Sequence, residues 1–224
     1  MKSRAFIFDL NGTMINDMDY HINAWYKIVN DLGAAITRQN MKEECYGKNE
    51  EVIERIFPDR FSKTEKDRMS LKKEQQYQQE YQPHLRLIQG LEKFFIKAQT
   101  AGIKMAIGSA AIHYNIDFVL DGLNIRHYFN AIVGAEDVLQ SKPHPSTFLQ
   151  VADALQMDPR ACVVFEDSVK GVEAALNAGM IAVAITTMHE RKEFATYPNI
   201  VCFINNYSDL EPGKILQMNS LIVK

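Results

Sequence analysis

The chain has 224 residues, 46% of them hydrophobic and 24% charged, so it is long enough to bury a substantial core and is expected to be globular. Its formal net charge of −3, with no basic run longer than two residues, excludes the strongly basic footprint of a nucleic-acid-binding protein. The three cysteines lack CxxC spacing and no apolar run reaches the length of a membrane span. We therefore expect a cytoplasmic protein with no zinc site and no membrane partner, and no protein partner is indicated.

The first predicted element is a strand over the apolar run 5–10, which contains the carboxylate of Asp9 near its end. The pair Asn11-Gly12 that follows is typical of a β-hairpin turn. No strand-like run follows this pair, however, and the next apolar residues have the 4-3-4-3 spacing of one helix face: Met18, Ile22, Trp25, Val29 and Leu32. The sequence therefore favours a loop that leads from the strand into a helix.

Residues 16–83 are predicted to form an inserted domain that is entirely helical. They are polar in composition and include the long charged stretch KTEKDRMSLKKEQQYQQEY, which is predicted to be one helix ended by Pro83. The flanking segments, 1–15 and 84–224, are predicted to form a single α/β domain.

The second half of the chain alternates short apolar runs with helix-like stretches. Gly102 and Gly179 stand where two of these helices are expected to end. The runs have continuous rather than alternating hydrophobicity, which is typical of strands buried on both faces: 103–109, 131–133, 161–167, 181–185 and 200–204. This pattern predicts a Rossmann-like parallel sheet with helices on both faces.

Polar residues follow several of the predicted strands, and ligands collect at this edge of open parallel sheets. Asp9 and Asp167 are carboxylates of the kind that hold Mg²⁺, and Ser109 and Lys142 are suited to donate to phosphate oxygens. Asp9 is also placed to attack phosphorus as a nucleophile. Each residue has a purely structural alternative: a helix cap for Asp9 or for the pair Glu166-Asp167, a turn for Ser109 and a plain loop for Lys142.

The segments FDLNGT, AIGSAA, SKP and VFEDSVKGVEAALNAG stand in the order of the four motifs of haloacid dehalogenase-like phosphotransferases, which the sequence resembles over essentially its whole length. The inserted domain resembles the mobile cap of that family, and YHINAW resembles the start of the cap in the β-phosphoglucomutase branch. The resemblance implies Mg²⁺-dependent phosphoryl transfer from small phosphorylated substrates through an aspartyl-phosphate.

Carried over to this chain, the resemblance implies Asp9 as nucleophile and Lys142 and Ser109 as phosphate binders. Asp167 and the backbone carbonyl of Asn11 would bind Mg²⁺, with Glu166 beside them. The remaining candidates for contact with phosphate or substrate are Gly12, Thr13 and Ala110 in the core and His21, Gly47 and Lys73 in the cap.

Two of the cap candidates have plain structural alternatives. For Lys73, a solvated helix surface is an equally good interpretation. His21 is interpreted either as a helix residue that faces the cleft or solvent, or as a catalytic group.

The sequence departs from the family pattern at Asn11, where phosphatases and mutases of the family carry an acid–base aspartate. An amide cannot exchange a proton near neutral pH, and such help is worth about 10²- to 10⁴-fold in rate. Three explanations remain open. Asn11 is natural and His21 or an acidic leaving group compensates, or it is an engineered change that traps a complex, or the chain binds phosphate compounds without turning them over.

A second departure lies in the cap loop. The mutase branch has a lysine before the cap-loop glycine and an arginine three residues after it, whereas here Tyr46 precedes Gly47 and Glu50 takes the arginine position. A carboxylate there opposes a second phosphate, although Lys48 and Lys73 offer nearby positive charge. We therefore rank a phosphatase first, a β-phosphoglucomutase-type phosphotransferase second and a catalytically silent binding protein third.

Overall fold

The computed structural model describes residues 4–222. In chain order its helices and strands are β1 (Ala5–Phe8), α1 (Met18–Asp31), α2 (Arg38–Glu44), α3 (Asn49–Ile56), α4 (Lys63–Tyr81), α5 (Leu91–Thr100), β2 (Lys104–Gly108), α6 (His113–Gly122), β3 (Ala131–Val133), α7 (Ser146–Ala154), β4 (Cys162–Glu166), α8 (Val169–Asn177), β5 (Ile181–Ile185), β6 (Ile200–Ile204) and α9 (Pro212–Ile222). None of the helices in this part of the chain is long and apolar enough to cross a membrane.

The six strands form one parallel sheet in the order β3-β2-β1-β4-β5-β6. Each of them falls on one of the apolar runs identified in the sequence, so the predicted Rossmann-like sheet is confirmed. Because β1 pairs with both β2 and β4, it lies in the middle of the sheet. The residue that follows β1 is therefore placed at the centre of the carboxyl edge.

The two faces of β1 are covered by different helices, as the period of two in a strand requires. Phe6 and Phe8 are fully buried, and their rings contact Phe94 and Phe95 of α5. Ile7 belongs to the hydrophobic cluster on the other face, which includes residues of α7 and α8. Each large apolar side chain buried in this way contributes about 1.5–3 kcal/mol to folding. This packing holds the end of β1 firmly in place.

The chain divides into two compact units. Among the described residues, one unit comprises 4–16 and 86–222, and the other comprises Asp17–Leu85. The sequence predicts the corresponding boundaries at 15/16 and 83/84. We call the two units the core unit and the cap unit, and each is described by itself.

Within the cap unit, residues 17–85 are all described and form helices without any strand. Helix α1 packs on α4, and its Ile22, Trp25 and Val29 are buried as the spacing predicted. Helix α4 covers the charged stretch predicted as one helix, although few of its residues are apolar. Its start is stabilised by a capping box in which Ser62 and Glu65 each bond the backbone N–H of the other.

Candidate active site

Asp9 directly follows β1 and is almost completely buried. Its backbone N–H donates to the carbonyl of Phe165 in β4 at 3.0 Å. Its carboxylate Oδ1 accepts a hydrogen bond from Nζ of Lys142 at 2.7 Å, and the same ammonium donates to Glu166 Oε1 at 2.7 Å. Lys142 thus connects the ends of β1 and β4, so the alternative of a plain loop lysine is wrong.

Glu166 ends β4 and is held by the start of α8. Its Oε2 accepts from both the backbone N–H (2.8 Å) and the hydroxyl (2.9 Å) of Ser168, whose hydroxyl oxygen accepts from the N–H of Gly171. A Cβ atom at Gly171 would overlap the Glu166 carboxylate. Gly171 was not identified from the sequence, where its only signal is a glycine in the first turn of a helix. The residue that caps α8 is Ser168.

The side chain of Asp167 contacts the loop that follows Asp9. Its Oδ1 accepts from the hydroxyl of Thr13 at 3.2 Å. Gly12 has a φ of +72°, and a Cβ atom there would overlap the Asp167 carboxylate. A glycine is therefore needed at position 12 both for the backbone conformation and for the close approach. We refer to residues 9–14 as the Asp9 loop.

The other core candidates lie around this loop. Ser109 follows β2 and is 1% exposed, and its hydroxyl accepts from the N–H of Ala111 and lowers the pKa of the nearby Asp9 carboxyl. A residue that only formed a turn would not need to lie beside Asp9, so this position favours the interpretation of Ser109 as a site residue. Ala110 and Asn11 are half-buried. The structure thus brings together Asp9, Thr13, Ser109, Lys142, Glu166 and Asp167, with Gly12 against Asp167.

Three of these residues form a donor set suited to a hard divalent cation. Carboxylate oxygens of Asp9, Glu166 and Asp167 lie within 4.8 Å of one another, and all three residues are buried. With all three ionised, the single ammonium of Lys142 leaves this cluster with an excess of negative charge. Oxygen ligands and an excess of negative charge are what Mg²⁺ requires, so these residues fit that ion.

Within this cluster the pKa values of Asp9, Asp167 and Lys142 are shifted. Burial raises the pKa of Asp9 to about 7, against the opposing charge of Lys142 and with a further rise from Glu166. Burial together with the charges of Glu166 and Asp9 raises the pKa of Asp167 well above its usual range. Burial opposes the charged form of Lys142, but Asp9 and Glu166 outweigh it and raise its pKa. Near neutral pH, the cluster without a cation therefore retains protons.

These shifts predict how Mg²⁺ should stabilise the protein. Between pH 4 and pH 7 the folded chain binds more protons than the unfolded chain, because the pKa of Asp9 is about 7 when folded and 3.8 ordinarily. The cluster's contribution to stability is therefore present below pH 4 and is lost as the pH rises through about 7. A cation replaces those protons, so we expect millimolar Mg²⁺ to raise Tm more at pH 8 than at pH 5. Thermal shift assays with and without MgCl₂ would measure this, and equal gains at both pH values would contradict it.

In the cap unit, Lys73 and His21 are buried together. Lys73 is 2% exposed, with its Nζ 2.6 Å from Nδ1 of His21 and 3.0 Å and 3.1 Å from the carboxylate oxygens of Glu74. The ammonium also lies over the ring of Trp25. The interpretation of Lys73 as a solvated surface residue is therefore wrong, because its charge is balanced inside the cap by Glu74.

His21 is also not a solvent-facing residue, since it is 6% exposed and stacks on Tyr77 at 3.7 Å between ring centroids. Its Nε2 lies 3.2 Å from Asp17 Oδ2, which also accepts from the Tyr77 hydroxyl at 2.5 Å. Burial and the charge of Asp17 raise the pKa of Tyr77, so the phenol remains a hydrogen-bond donor. We call Asp17, His21, Lys73, Glu74 and Tyr77 the cap cluster.

The cap loop around Gly47 is organised by carboxylates. Gly47 has a φ of +79° and packs against the side chain of Glu51, which accepts from the N–H of Lys48 at 2.8 Å. Arg55 stacks over the ring of Tyr46 and donates to the carbonyls of Glu44 (2.6 Å) and Tyr46 (2.5 Å). The guanidinium of Arg55 is thus engaged by the cap's own backbone.

Comparisons with known proteins agree with this geometry. Residues 6–185 match the model of the haloacid dehalogenase-like hydrolase family. The chain is similar to a β-phosphoglucomutase of Bacillus subtilis, with 30% identity covering 81% of this chain and 83% of that protein. It is also similar to a fructose-1-phosphate phosphatase of Escherichia coli, with 29% identity covering 81% of this chain and 95% of that protein.

Among solved structures, a β-phosphoglucomutase from Clostridium difficile matches with a TM-score of 0.87 and 26% identity, covering 99% of this chain and 100% of that chain. The parallel sheet with its inserted helical unit and the extent of these matches together identify the family. The chain belongs to the haloacid dehalogenase-like hydrolase family of enzymes, in the branch that resembles β-phosphoglucomutase.

Proposed function

We propose that the chain is a Mg²⁺-dependent phosphatase of small phosphorylated metabolites, with sugar phosphates as its substrate class and Asp9 as its nucleophile. The observation that carries this proposal is the buried carboxylate of Asp9, held at 2.7 Å by Lys142 beside two further carboxylates. The names of the relatives, a fructose-1-phosphate phosphatase and a β-phosphoglucomutase, support the substrate class.

In the proposed reaction, a carboxylate oxygen of Asp9 attacks phosphorus, and the bond from phosphorus to the ester oxygen breaks. The leaving oxygen departs with the electron pair, and Asp9 carries the phosphoryl group. Water then attacks phosphorus and the bond from phosphorus to the Asp9 oxygen breaks, which releases inorganic phosphate and restores the Asp9 carboxylate. The proton that the water loses to solvent balances the one that the leaving oxygen takes up from solvent. Lys142 has three N–H donors, of which two contact Asp9 and Glu166, and we assign the third to a phosphate oxygen.

The residues that would hold Mg²⁺ are Asp9, Asp167 and the backbone carbonyl of Asn11, with Glu166 beside them. When bound there, the cation would offset the negative charge of the transferring phosphoryl group. Ser109 lies near Asp9, and we assign its hydroxyl as a donor to the same group. Thr13 keeps Asp167 oriented through its hydroxyl.

Asn11 shapes the substrate preference that we propose. Its side chain provides no exchangeable proton at neutral pH, so the leaving oxygen departs without an acid at this position. The rate then depends on how well the leaving group stabilises negative charge. We therefore infer a preference for phosphates on acidic hydroxyls, such as the anomeric hydroxyl of a sugar.

The second candidate is a phosphotransferase of the β-phosphoglucomutase type, which is favoured by the likeness to proteins of that name. The cap loop argues against it. Glu50 is exposed where that branch has an arginine, and Arg55 is engaged by the carbonyls of Glu44 and Tyr46. A substrate with a single phosphate fits this loop better than a sugar bisphosphate.

A panel of phosphate esters tests the proposal, with phosphate release measured in Mg²⁺ and in EDTA. We expect Mg²⁺-dependent release that is fastest for anomeric sugar monophosphates. Isomerisation of β-glucose 1-phosphate without free phosphate would instead indicate a phosphotransferase. Tight Mg²⁺-dependent ligand binding by calorimetry with turnover at background, in this chain and in Asn11→Asp, would indicate a binding protein.

A further inference from the structure

Two hydroxyl groups from distant parts of the chain bond consecutive carbonyls of the Asp9 loop. The hydroxyl of Thr187, two residues after β5, donates to the carbonyl of Gly12 at 2.6 Å. The phenol of Tyr207, three residues after β6, donates to the carbonyl of Thr13 at 3.0 Å. The ends of two strands from one side of the sheet therefore converge on the loop that begins beside the central strand.

Tyr207 is rigidly placed for this contact. It is 1% exposed, and its ring packs near Phe94 and Phe165, with centroids 5.8 Å and 6.0 Å away. Its backbone N–H donates to the carbonyl of Gln89 at 2.9 Å. A Cβ atom at Gly90 would lie 2.5 Å from the backbone nitrogen of Ser208, so a glycine is needed for this close approach.

The Tyr207 hydroxyl also stays protonated near neutral pH and therefore remains a hydrogen-bond donor. Burial, together with the negative charges of Asp167 and Asp9, raises the pKa of Tyr207 well above its usual value. A phenol that stays protonated beside a carbonyl oxygen provides a permanent hydrogen bond. Thr187 cannot ionise under these conditions, so neither anchor depends on pH.

The two bonds determine the backbone conformation of the loop. Each peptide unit is planar, so holding the carbonyls of Gly12 and Thr13 fixes the planes on both sides of Thr13. The N–H groups of Thr13 and Met14 point to the carbonyl of Leu10, at 3.3 Å and 2.8 Å, which closes the turn. Gly12 has a φ of +72°, and glycine is the residue type with the greatest backbone freedom. The conformation of the turn therefore depends on hydrogen bonds such as those from Thr187 and Tyr207.

We propose that Thr187 and Tyr207 are positioning residues for the Asp9 loop. By holding the Gly12 and Thr13 carbonyls, they keep the backbone carbonyl of Asn11 and the hydroxyl of Thr13 in place for the cation and for Asp167. This inference rests on the proposed Mg²⁺ site. It assigns a role to two residues whose hydroxyls bond the backbone of the Asp9 loop.

The test compares Thr187→Val and Tyr207→Phe with the unaltered chain. Mn²⁺ binding followed by EPR reports on the site without turnover, and phosphate release gives kcat, KM and the Mg²⁺ concentration for half-maximal activity. Loss of a group that orients a metal ligand typically costs 10- to 100-fold in affinity or activity. We expect about a tenfold or greater rise in the Mn²⁺ Kd and a fall in kcat, with a smaller change in KM.

The neighbouring Thr186 provides a matched control, because its hydroxyl bonds Asn205 and Ile204 rather than the Asp9 loop. Thr186→Val should bind Mn²⁺ as the unaltered chain does, and Thr187→Ser, which keeps the hydroxyl, should restore affinity. If Thr187→Val and Tyr207→Phe lose thermal stability but keep the Mn²⁺ Kd of Thr186→Val, the positioning role is overturned. If the Mn²⁺ affinities rank as expected while no ester is hydrolysed, the positioning role stands and the proposed phosphatase function fails.

Discussion

Asn11→Asp is expected to raise the rate of phosphate-ester hydrolysis by about 10²- to 10⁴-fold, the usual range for general acid–base help. The carboxylic acid would protonate the leaving oxygen and then, as a carboxylate, accept a proton from the attacking water. The backbone carbonyl at position 11 is unchanged by the substitution, so cation binding should be retained. Steady-state kinetics on esters whose leaving groups differ in pKa would measure the gain, which should be largest for the least acidic leaving groups.

Asn11→Ala is the matched control, because it removes the amide without adding an acid and should leave the rate close to that of the unaltered chain. Mn²⁺ titrations of all three chains would separate an effect on chemistry from an effect on the site. If Asn11→Asp binds Mn²⁺ but hydrolyses no ester faster than the unaltered chain, the missing acid is not what limits turnover. If a variant hydrolyses esters faster only because its Mn²⁺ affinity has changed, the acid–base explanation is likewise contradicted.

The sheet could be predicted because its strands are buried on both faces and therefore appear as continuous apolar runs. The runs at 131–133, 181–185 and 200–204 coincide with β3, β5 and β6. The carboxylate cluster followed from the same information, since parallel strands present their carboxyl ends at one edge. Topology alone thus brings Asp9, Glu166 and Asp167 together.

Other features depend on contacts between residues far apart in the chain, and sequence pattern does not report them. Tyr207 and Thr187 lie in loops where a hydroxyl residue is unremarkable, yet each bonds a carbonyl about 175 residues or more away along the chain. Lys73 lies in a stretch rich in charges, so its burial depends on Glu74 and on the aromatic rings of α1 and α4. Composition correctly identified this helix but could not identify its buried face.

The cluster around Asp9 also opposes folding in one respect. Its buried carboxylates outnumber the cations within it, and burial raises the pKa values of Asp9 and Asp167 rather than lowering them. An isolated protein gains nothing from this arrangement, whereas a protein that binds a cation there does. Local instability of this kind is typical of a site retained for function rather than for stability.

Asp9→Asn is expected to abolish phosphate release, with a loss on the order of 10⁴-fold or more, because an amide does not act as the nucleophile that a carboxylate provides. The amide oxygen can still accept from Lys142, which now bonds Oδ1 of Asp9 at 2.7 Å, so the fold should be preserved. Removing one negative charge also relieves the repulsion from Glu166 and Asp167. We therefore expect Tm without a cation to rise at pH 8 while activity disappears, as thermal shift and phosphate-release assays would measure.

Glu166→Gln is the matched control, because it removes one charge from the same cluster without removing the proposed nucleophile. It should weaken Mg²⁺ activation yet retain measurable turnover at saturating Mg²⁺. Its Tm is not expected to rise, because both Glu166 oxygens accept hydrogen bonds and an amide offers only one oxygen. Equal residual turnover in Asp9→Asn and Glu166→Gln would show that Asp9 acts only through its charge. A fall in Tm for Asp9→Asn would show instead that the ionised Asp9 carboxylate stabilises the fold, contrary to the direction of its pKa shift. Loss of turnover in Asp9→Asn and its retention in Glu166→Gln are the results that distinguish a nucleophile from a neighbouring charge.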